Sequence, residues 1–228
     1  MKKNLVAVFS VLFLSLCFLP QILPAQQKET PPRVIPAVSF FISGNYFAPK
    51  LDDINAVYTT IEKNYFLPAG KDFKSYYSVA GGIKFSPVEQ QTIRAEFGAS
   101  MYKSPLGTSS SKTQSTSFLQ MYYAGGTYLI NFPFNRLSFF VGPGLGYLRI
   151  NTQRTYTDQV GVVHVNAGLF QLHGTVGAEF FHSSGISFSL EGGYFYATTP
   201  SPQRSDLDFT LRGITGGVKV SVPLVNKF

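Results

Sequence analysis

A two-residue alternation of side-chain character recurs about eight times between residue 37 and the end of the chain. Between Ile93 and Met101, for example, alternate positions are apolar or small, whereas the intervening positions include Arg94 and Glu96. Successive side chains of a β-strand point to opposite faces, so this period predicts an all-β chain. In a soluble sandwich the apolar face would point inward, whereas in a membrane barrel it points outward to lipid.

The first 36 residues lack the strand pattern, and we expect them to precede the folded domain. Lys2 and Lys3 precede the apolar run 5–19, and Ala25 ends a small-residue cleavage motif, so we expect residues 1–25 to be a signal peptide. Residues 26–36 contain three prolines and predict a flexible periplasmic leader, which leaves residues 37–228 for the barrel domain. The single cysteine, Cys17, lies in the expected signal, so we expect no disulfide and no thiol site after cleavage.

The charge pattern argues against several classes of function. The chain has 19 Lys and Arg against 12 Asp and Glu, but the basic residues are scattered and form no run suited to nucleic acid. The three histidines have no metal-ligand spacing, and no helix pattern follows the glycine-rich run 142–146 as a phosphate loop would require. We therefore expect no metal, no cofactor and no nucleic-acid partner.

Turn residues divide the alternating sequence into eight predicted strands. These cover about 37–47, 73–85, 91–102, 118–130 and 137–147, then a sixth ending at Phe181, a seventh over 186–196 and a last containing 214–222. Connections are long after strands one, three, five and seven, the last three of these covering 103–117, 151–165 and 198–206. They are short after strands two, four and six. This alternation is typical of an antiparallel up-and-down transmembrane barrel with short periplasmic turns and both termini in the periplasm.

Two strands carry particular side-chain sets. The fourth strand has one apolar face, expected to face lipid, that comprises Leu119, Met121, Tyr123 and Leu129. In the fifth strand Gly142, Gly144 and Gly146 share the face opposite the large apolar residues. Such glycines predict close packing or strong curvature of the barrel wall.

The first long connection contains a helical pattern. From Asp52 to Phe66 the apolar residues Ile54, Tyr58 and Ile61 follow helical spacing, and Asp52 or Asp53 is placed to cap the first turn. We predict a short amphipathic helix that packs over the barrel rim. Binding a partner and lying in the membrane interface are the alternatives.

These features together resemble the small eight-stranded outer-membrane barrels of the OmpA-transmembrane, OmpX and OmpW class. In that class an alternating last strand that ends in Phe resembles the signal read by the barrel-assembly machinery, here Val218, Val220, Val222 and Phe228. Pro223 departs from this pattern because it cannot donate a ladder hydrogen bond. The resemblance implies a monomer in the outer membrane whose partners are outer-membrane lipid and, during biogenesis, the assembly machinery.

Six charged residues fall on the strand faces opposite the expected lipid face. They are Lys84, Arg94, Glu96, Glu179, Glu191 and Lys219. A charge facing lipid at mid-depth costs about 2–4 kcal/mol, so we expect all six in the lumen, towards its periplasmic half. Three cations and three anions permit a salt-bridged plug that stabilises the barrel and blocks solutes. The alternative is a narrow polar conduit, or a gate that opens when these pairs rearrange.

A catalytic interpretation has little support in the sequence. Some outer-membrane barrels hydrolyse lipid A with a His-x-Ser motif and a nearby acid, a form shared by His182-Ser183-Ser184 and Glu191. The predicted topology, however, places His182 in a periplasmic turn. His173 and Thr175 share an inner face, where we expect His173 to bond Gln171 or a glutamate. We expect no catalytic residue and a non-enzymatic protein.

Three functions therefore remain open. The first is an integral outer-membrane barrel with a structural or surface-interaction role through its extracellular loops. The second is a narrow channel for ions or for small or apolar solutes. The third is a soluble periplasmic β-sandwich or lipid-binding barrel.

Overall fold

In the computed structural model of the chain, the described residues are 36–65, 67, 72–73, 76–103, 115–156, 162–199 and 209–226. The predicted signal peptide, nearly all of the leader, most of the connection 103–117 and Phe228 lie outside these residues.

Eight antiparallel strands form one closed ring. Their bounds are β1 Pro36–Lys50, β2 Tyr76–Val88, β3 Gln91–Lys103, β4 Ser115–Phe134, β5 Leu137–Tyr156, β6 Val162–Phe181, β7 Ser187–Thr198 and β8 Thr210–Asn226. Each strand pairs with its sequence neighbours, and β1 closes the ring against β8. The helix α1, Asp52–Asn64, lies between β1 and β2. The predicted eight-stranded up-and-down barrel with a helix in the first long connection is confirmed.

The register sets the shape of the barrel. A path that starts at Lys50 on β1 and steps from each residue to its paired neighbour crosses all the strands and returns to β1 at Phe40. The path passes through Arg212, Tyr196, Leu172, Leu145, Gly126, Ala95 and Ile83. A stagger of about ten residues over eight strands corresponds to a strand tilt of about 40°. A barrel of this size is just wide enough inside to be filled by side chains.

The outer face carries a continuous apolar band. On β5 the outward side chains are apolar from Leu137 to Tyr147 and polar from Arg149 onwards. That apolar stretch is about 25 Å tall at the strand rise and tilt above, which matches the height of a transmembrane barrel's band. One border, the loop end, is marked by exposed tyrosines: Tyr46, Tyr77, Tyr122, Tyr147, Tyr194 and Tyr196. The other border, the turn end, is marked by exposed phenylalanines: Phe85, Phe132, Phe134, Phe139, Phe180 and Phe188. None of the helical segments within the described ranges has the length and apolar character needed to cross a bilayer.

Three strands extend beyond the band at the loop end, and the predicted third long loop is wrong. β5 continues to Tyr156 and β6 begins at Val162, so only 157–161 separate them. The outward residues Asn151 and Gln153 are polar, which made this stretch look like a loop, but the backbone remains paired. The extension rises about 15–20 Å above the band. We call it the loop-end wall, and it comprises Ser115–Gln120, Arg149–Tyr156 and Val162–Leu169.

The predicted lipid face of β4 is also wrong. Leu119, Met121 and Leu129 are buried inside the barrel, and Tyr123 points inward as well. The residues that face outward are Tyr122, Tyr128 and Ile130. Because β4 is apolar on both faces along this stretch, alternation alone could not tell which face meets lipid.

The helix differs from its prediction at both ends. It ends at Asn64, and its N-cap is Leu51 without any side-chain capping bond, so capping by Asp52 or Asp53 is wrong. Both carboxylates lie in the first turn, where they interact favourably with the helix dipole. Asp53 also accepts a hydrogen bond from the backbone N–H of Thr210 on β8, at 3.2 Å.

Pro223 does not end the last strand. β8 continues to Asn226, and Pro223 is paired with Ser39 on β1, next to a register irregularity. Pairing between β7 and β8 ends at Ser221, so β7 has no residue opposite the proline. The missing N–H is therefore tolerated at a ladder end.

Candidate functional site in the barrel interior

Four of the six predicted lumenal charges form one central ion cluster. Arg94 Nη1 lies 2.8 Å from Glu191 Oε2, and Lys219 Nζ lies 3.1 Å from Glu191 Oε1. Lys219 also pairs with Glu96, whose Oε2 is 3.5 Å from Arg94 Nε. Each glutamate therefore touches both cations. Strands β3, β7 and β8 supply these side chains, so the cluster crosses the lumen.

The remaining two charges pair closer to the turn end. Lys84 on β2 forms an ion pair with Glu179 on β6, which also accepts a hydrogen bond from Ser187. Aromatic faces support the cations, because Lys84 Nζ lies 5.5 Å from the Phe181 ring centroid and Lys219 Nζ lies 4.8 Å from that of Phe41. The four cations and carboxylates of the central cluster and the Lys84–Glu179 pair are 3–13 % exposed, so each charge depends strongly on its partners.

A polar layer adjoins the central ion cluster on its loop side. The Tyr123 hydroxyl donates to Glu96 Oε1 at 2.8 Å and accepts from Asn45 Nδ2 at 3.0 Å. Gly98 makes room for the Tyr123 ring, since a Cβ at residue 98 would collide with it. The glycines of β5 act similarly: a Cβ on Gly144 would collide with His173, and one on Gly142 with the backbone of Tyr128. The predicted close packing at these glycines is what the structure shows.

His173 has a different partner from the one predicted. Its Nε2 lies 2.9 Å from Thr127 Oγ1, in place of Gln171 or a glutamate. His182 sits in the turn between β6 and β7, where its Nδ1 is 3.0 Å from Ser184 Oγ, far from the Glu191 carboxylate held by Arg94 and Lys219. The structure therefore does not assemble the His-x-Ser residues with their candidate acid. Within the described ranges no cluster of three potential metal ligands occurs.

A small cavity separates the ion cluster from the apolar half of the lumen. Its volume is about 60 Å³, and its walls include Asn45, Tyr123, Thr127, Gln171, His173 and Thr175. This space suffices for about four water molecules. Such a polar pocket can hydrate the buried charges without forming a continuous pore.

The loop-end half of the lumen is apolar and is occupied by α1. Its wall includes Leu119, Met121, Ile150, Leu169 and Leu211, all almost fully buried. Ile54 and Tyr58 of α1 enter this cluster, and Tyr58 is 0 % exposed. The Tyr58 hydroxyl bonds Thr152 Oγ1 at 2.8 Å, and burial raises the pKa of Tyr58 above its ordinary value. The amphipathic helix thus packs inside the mouth, deeper than the predicted position over the rim.

A further buried ion pair, which sequence reasoning missed, holds the last turn of α1. Arg154 Nη1 on β5 lies 2.5 Å from Glu62 Oε1, and the Tyr156 hydroxyl donates to the same oxygen at 3.0 Å. The Arg154 guanidinium lies 4.4 Å from the Tyr58 ring centroid, while its Nε donates to Ser117. Glu62 follows Ile54 and Tyr58 at four-residue spacing, which was the available signal. Arg154 was hidden by the mistaken assignment of its segment to a loop.

An antiparallel barrel with an apolar outer band and charges inside defines an outer-membrane β-barrel protein. The family model described as "Outer membrane protein beta-barrel domain" matches residues 9–221, and the chain belongs to this family. Membership implies location in the outer membrane and confirms the resemblance to the OmpA, OmpX and OmpW type. The soluble alternative is thereby discarded.

Comparison with solved structures gives low similarities. The chain is similar to Neisserial surface protein A (11 % identity, TM-score 0.45, covering 81 % of this chain and 96 % of that one). It is also similar to the attachment invasion locus protein Ail of Yersinia pestis (12 % identity, TM-score 0.46, covering 82 % of this chain and 99 % of that one). A third similar structure is OprG of Pseudomonas aeruginosa (12 % identity, TM-score 0.38, covering 83 % of this chain and 98 % of that one). No curated protein sequence matches the chain significantly.

Proposed function

We propose that this protein is a closed, non-enzymatic outer-membrane barrel that acts structurally or as an interaction surface through its loop end. One observation carries the proposal: α1 occupies the mouth, with Tyr58 fully buried among side chains of the wall. An opening would have to break the Tyr58 and Glu62 hydrogen bonds and expose this apolar cluster. That cost favours a mouth that stays shut.

Filling at several levels supports the same proposal. From the turn end the lumen contains the Lys84–Glu179 pair, the central ion cluster, the small cavity and then the apolar cluster with α1. If any one of these layers were removed, the others would still fill the lumen. A solute pathway would therefore need concerted rearrangement along the whole axis.

The loop-end wall is the feature best suited to a surface role. Its three strands remain hydrogen-bonded beyond the apolar band, and α1 packs against its inner face through Thr152 and Arg154. Its outer face is mostly polar, with exposed Arg149, Thr155 and Asn166, and it also includes the exposed Val162. A paired and internally supported sheet is a firmer platform for a partner than a free loop would be.

Orientation and biogenesis belong to the proposal. We place the loop end outside the cell and both termini in the periplasm, with a monomer surrounded by outer-membrane lipid. Val218, Val220 and Val222 are exposed on one face of β8, as a recognition strand for the assembly machinery requires. Phe228, the fourth residue of that predicted signal, lies outside the described residues.

Conductance measurements test the closed state. The barrel is first recovered from the outer-membrane fraction, and a mobility shift between unheated and boiled samples establishes folding. We expect the folded wild type to give no conductance steps in planar bilayers at high salt. A variant with residues 52–64 replaced by a Gly/Ser linker should remain closed, because the central ion cluster is intact.

The channel alternative rests on the polar cavity of about 60 Å³ in the middle of the lumen. It predicts reproducible steps from the wild type and larger steps from the linker variant. In a conducting lumen, Glu96→Gln would also change ion selectivity, because Glu96 borders the cavity. Such steps would overturn the closed barrel.

A further inference from the structure

Charge is distributed unevenly between the two faces of the strands. Glu96, Glu179 and Glu191, the three acidic residues on the described strands, all have lumenal side chains. The outward face carries no Asp or Glu on these strands, but it carries four exposed cations. We call these cations the basic ring: Lys50, Lys103, Arg149 and Arg212.

The four cations lie at one level of the barrel. They come from β1, β3, β5 and β8, yet the strand register places their Cα atoms within about 5 Å of one another along the barrel axis. On β5 and β3 this level comes immediately after the apolar band, because Arg149 follows Tyr147 and Lys103 follows Met101 on the outward face. The basic ring therefore lies where lipid headgroups meet the protein.

Two members of the ring are direct cross-strand neighbours. Lys50 on β1 is paired in register with Arg212 on β8, and both side chains are exposed on the same face. Like charges placed directly opposite destabilise a sheet unless an anion lies between them. No ion pair among the described residues involves either cation. Asp52 and Asp53 follow Lys50 in sequence, but they begin α1, and Asp53 bonds the backbone of Thr210.

Among the described residues, the turn end has no matching ring of cations. Its outward strand residues are phenylalanines, other apolar residues and the uncharged Gln91, and the described turns carry Glu89, Arg136 and His182 without a basic excess. The asymmetry indicates that the two leaflets around this barrel differ in charge. Anionic headgroups attract each nearby Lys or Arg, which provides a physical reason for cations at one border alone.

We propose that the basic ring, and the Lys50–Arg212 pair above all, binds phosphorylated headgroups of lipids in the leaflet at the loop end. A phosphomonoester between the two cations accepts charge-assisted hydrogen bonds from the Arg212 guanidinium and the Lys50 ammonium. Tyr46 and Tyr196 lie just below the pair, where they line the interface beside the acyl chains. This inference rests on the proposed orientation, with the loop end in the outer leaflet.

Native mass spectrometry of the detergent-solubilised full-length barrel tests the proposal. The probes are bis-phosphorylated lipid A, the same lipid without its phosphates, and inorganic phosphate. The test variant K50Q/R212Q is compared with K63Q/R136Q, which removes two exposed cations away from the ring. K103Q/R149Q serves as a second test variant if the first does not fold, as judged by the heat-dependent gel shift.

We expect the phosphorylated lipid to bind the wild type and the control equally, and K50Q/R212Q about 10- to 30-fold more weakly. The phosphate-free lipid should bind all three proteins alike and weakly. Equal binding of the phosphorylated lipid to wild type and K50Q/R212Q would overturn the site. Inorganic phosphate binding as tightly as the lipid would overturn the lipid assignment. None of these outcomes depends on whether the lumen conducts. A binding result that overturns the lipid site can therefore be distinguished from a conductance result that overturns the closed barrel.

Discussion

Arg154 on β5 and Glu62 on α1 form a buried ion pair, 2.5 Å between Nη1 and Oε1, in the mouth of the barrel. Arg154 is 1 % exposed and Glu62 6 %. The pair joins the helix to the inner face of the loop-end wall, and the Tyr58 ring lies against the guanidinium. Two features that look independent in the sequence, the loop helix and the extended strands, are thus one packed unit.

Glu62→Ala should destabilise the barrel by about 3–5 kcal/mol, because Arg154 would keep a buried charge without this carboxylate. The free energy of unfolding can be measured by urea titration in phospholipid vesicles, with the heat-dependent gel shift as readout. The exposed neighbour variant Lys63→Gln is the control and should change stability by less than about 0.5 kcal/mol. The double variant E62L/R154M should recover much of the loss, and equal losses in the single and double variants would contradict the ion-pair account.

Arg94→Met and Glu96→Gln should each lower the free energy of unfolding by about 3 kcal/mol, since each leaves a buried partner undercompensated. The same urea titration applies, with Arg136→Gln at the exposed turn as control. Neither variant should conduct, because α1 still fills the mouth. Unchanged stability in both variants would count against the ion cluster as a structural plug.

Gly98→Ala should cost about 1–3 kcal/mol, because the new methyl group collides with the Tyr123 ring and displaces its hydroxyl from Glu96. Gly44→Ala is the matched control, because a Cβ on Gly44 meets no atom within 4 Å. Its stability should stay within about 0.5 kcal/mol of the wild type. Equal behaviour of the two variants would mean that Tyr123 is free to move.

Val176→Arg should cost about 2–4 kcal/mol, because Val176 points outward at the middle of the apolar band. Asn166→Arg on the same strand lies beyond the band and should cost about 0–1 kcal/mol. Folding yield and urea stability in vesicles provide the comparison. A similar cost at both sites would show that the band is misplaced along β6.

Sequence reasoning predicted the strands well, but it did not predict which lumenal charges pair with each other. The two-residue alternation located the eight strands and the turn-end connections well. It did so because the two faces of each strand lie in different environments, which imposes a two-residue period on the sequence. It failed at residues 151–156, where polar outward side chains meet water on a strand that is still paired. It also failed on β4, where Leu119 and Tyr122 are both apolar, so the period cannot choose a face.

Sequence alone predicted that charged residues near mid-depth, such as Arg94 and Glu191, avoid the lipid face, because the bilayer core penalises an exposed charge on any strand. Their partners could not be deduced, since Arg94 and Glu191 are 97 residues apart and meet only through the stagger of the closed ring. Likewise the helical period at residues 52–64 was visible, but its place inside the mouth depended on the apolar surface that distant strands bring together. Local sequence patterns indicate which environment each strand face lies in, whereas closure of the ring determines which side chains come into contact.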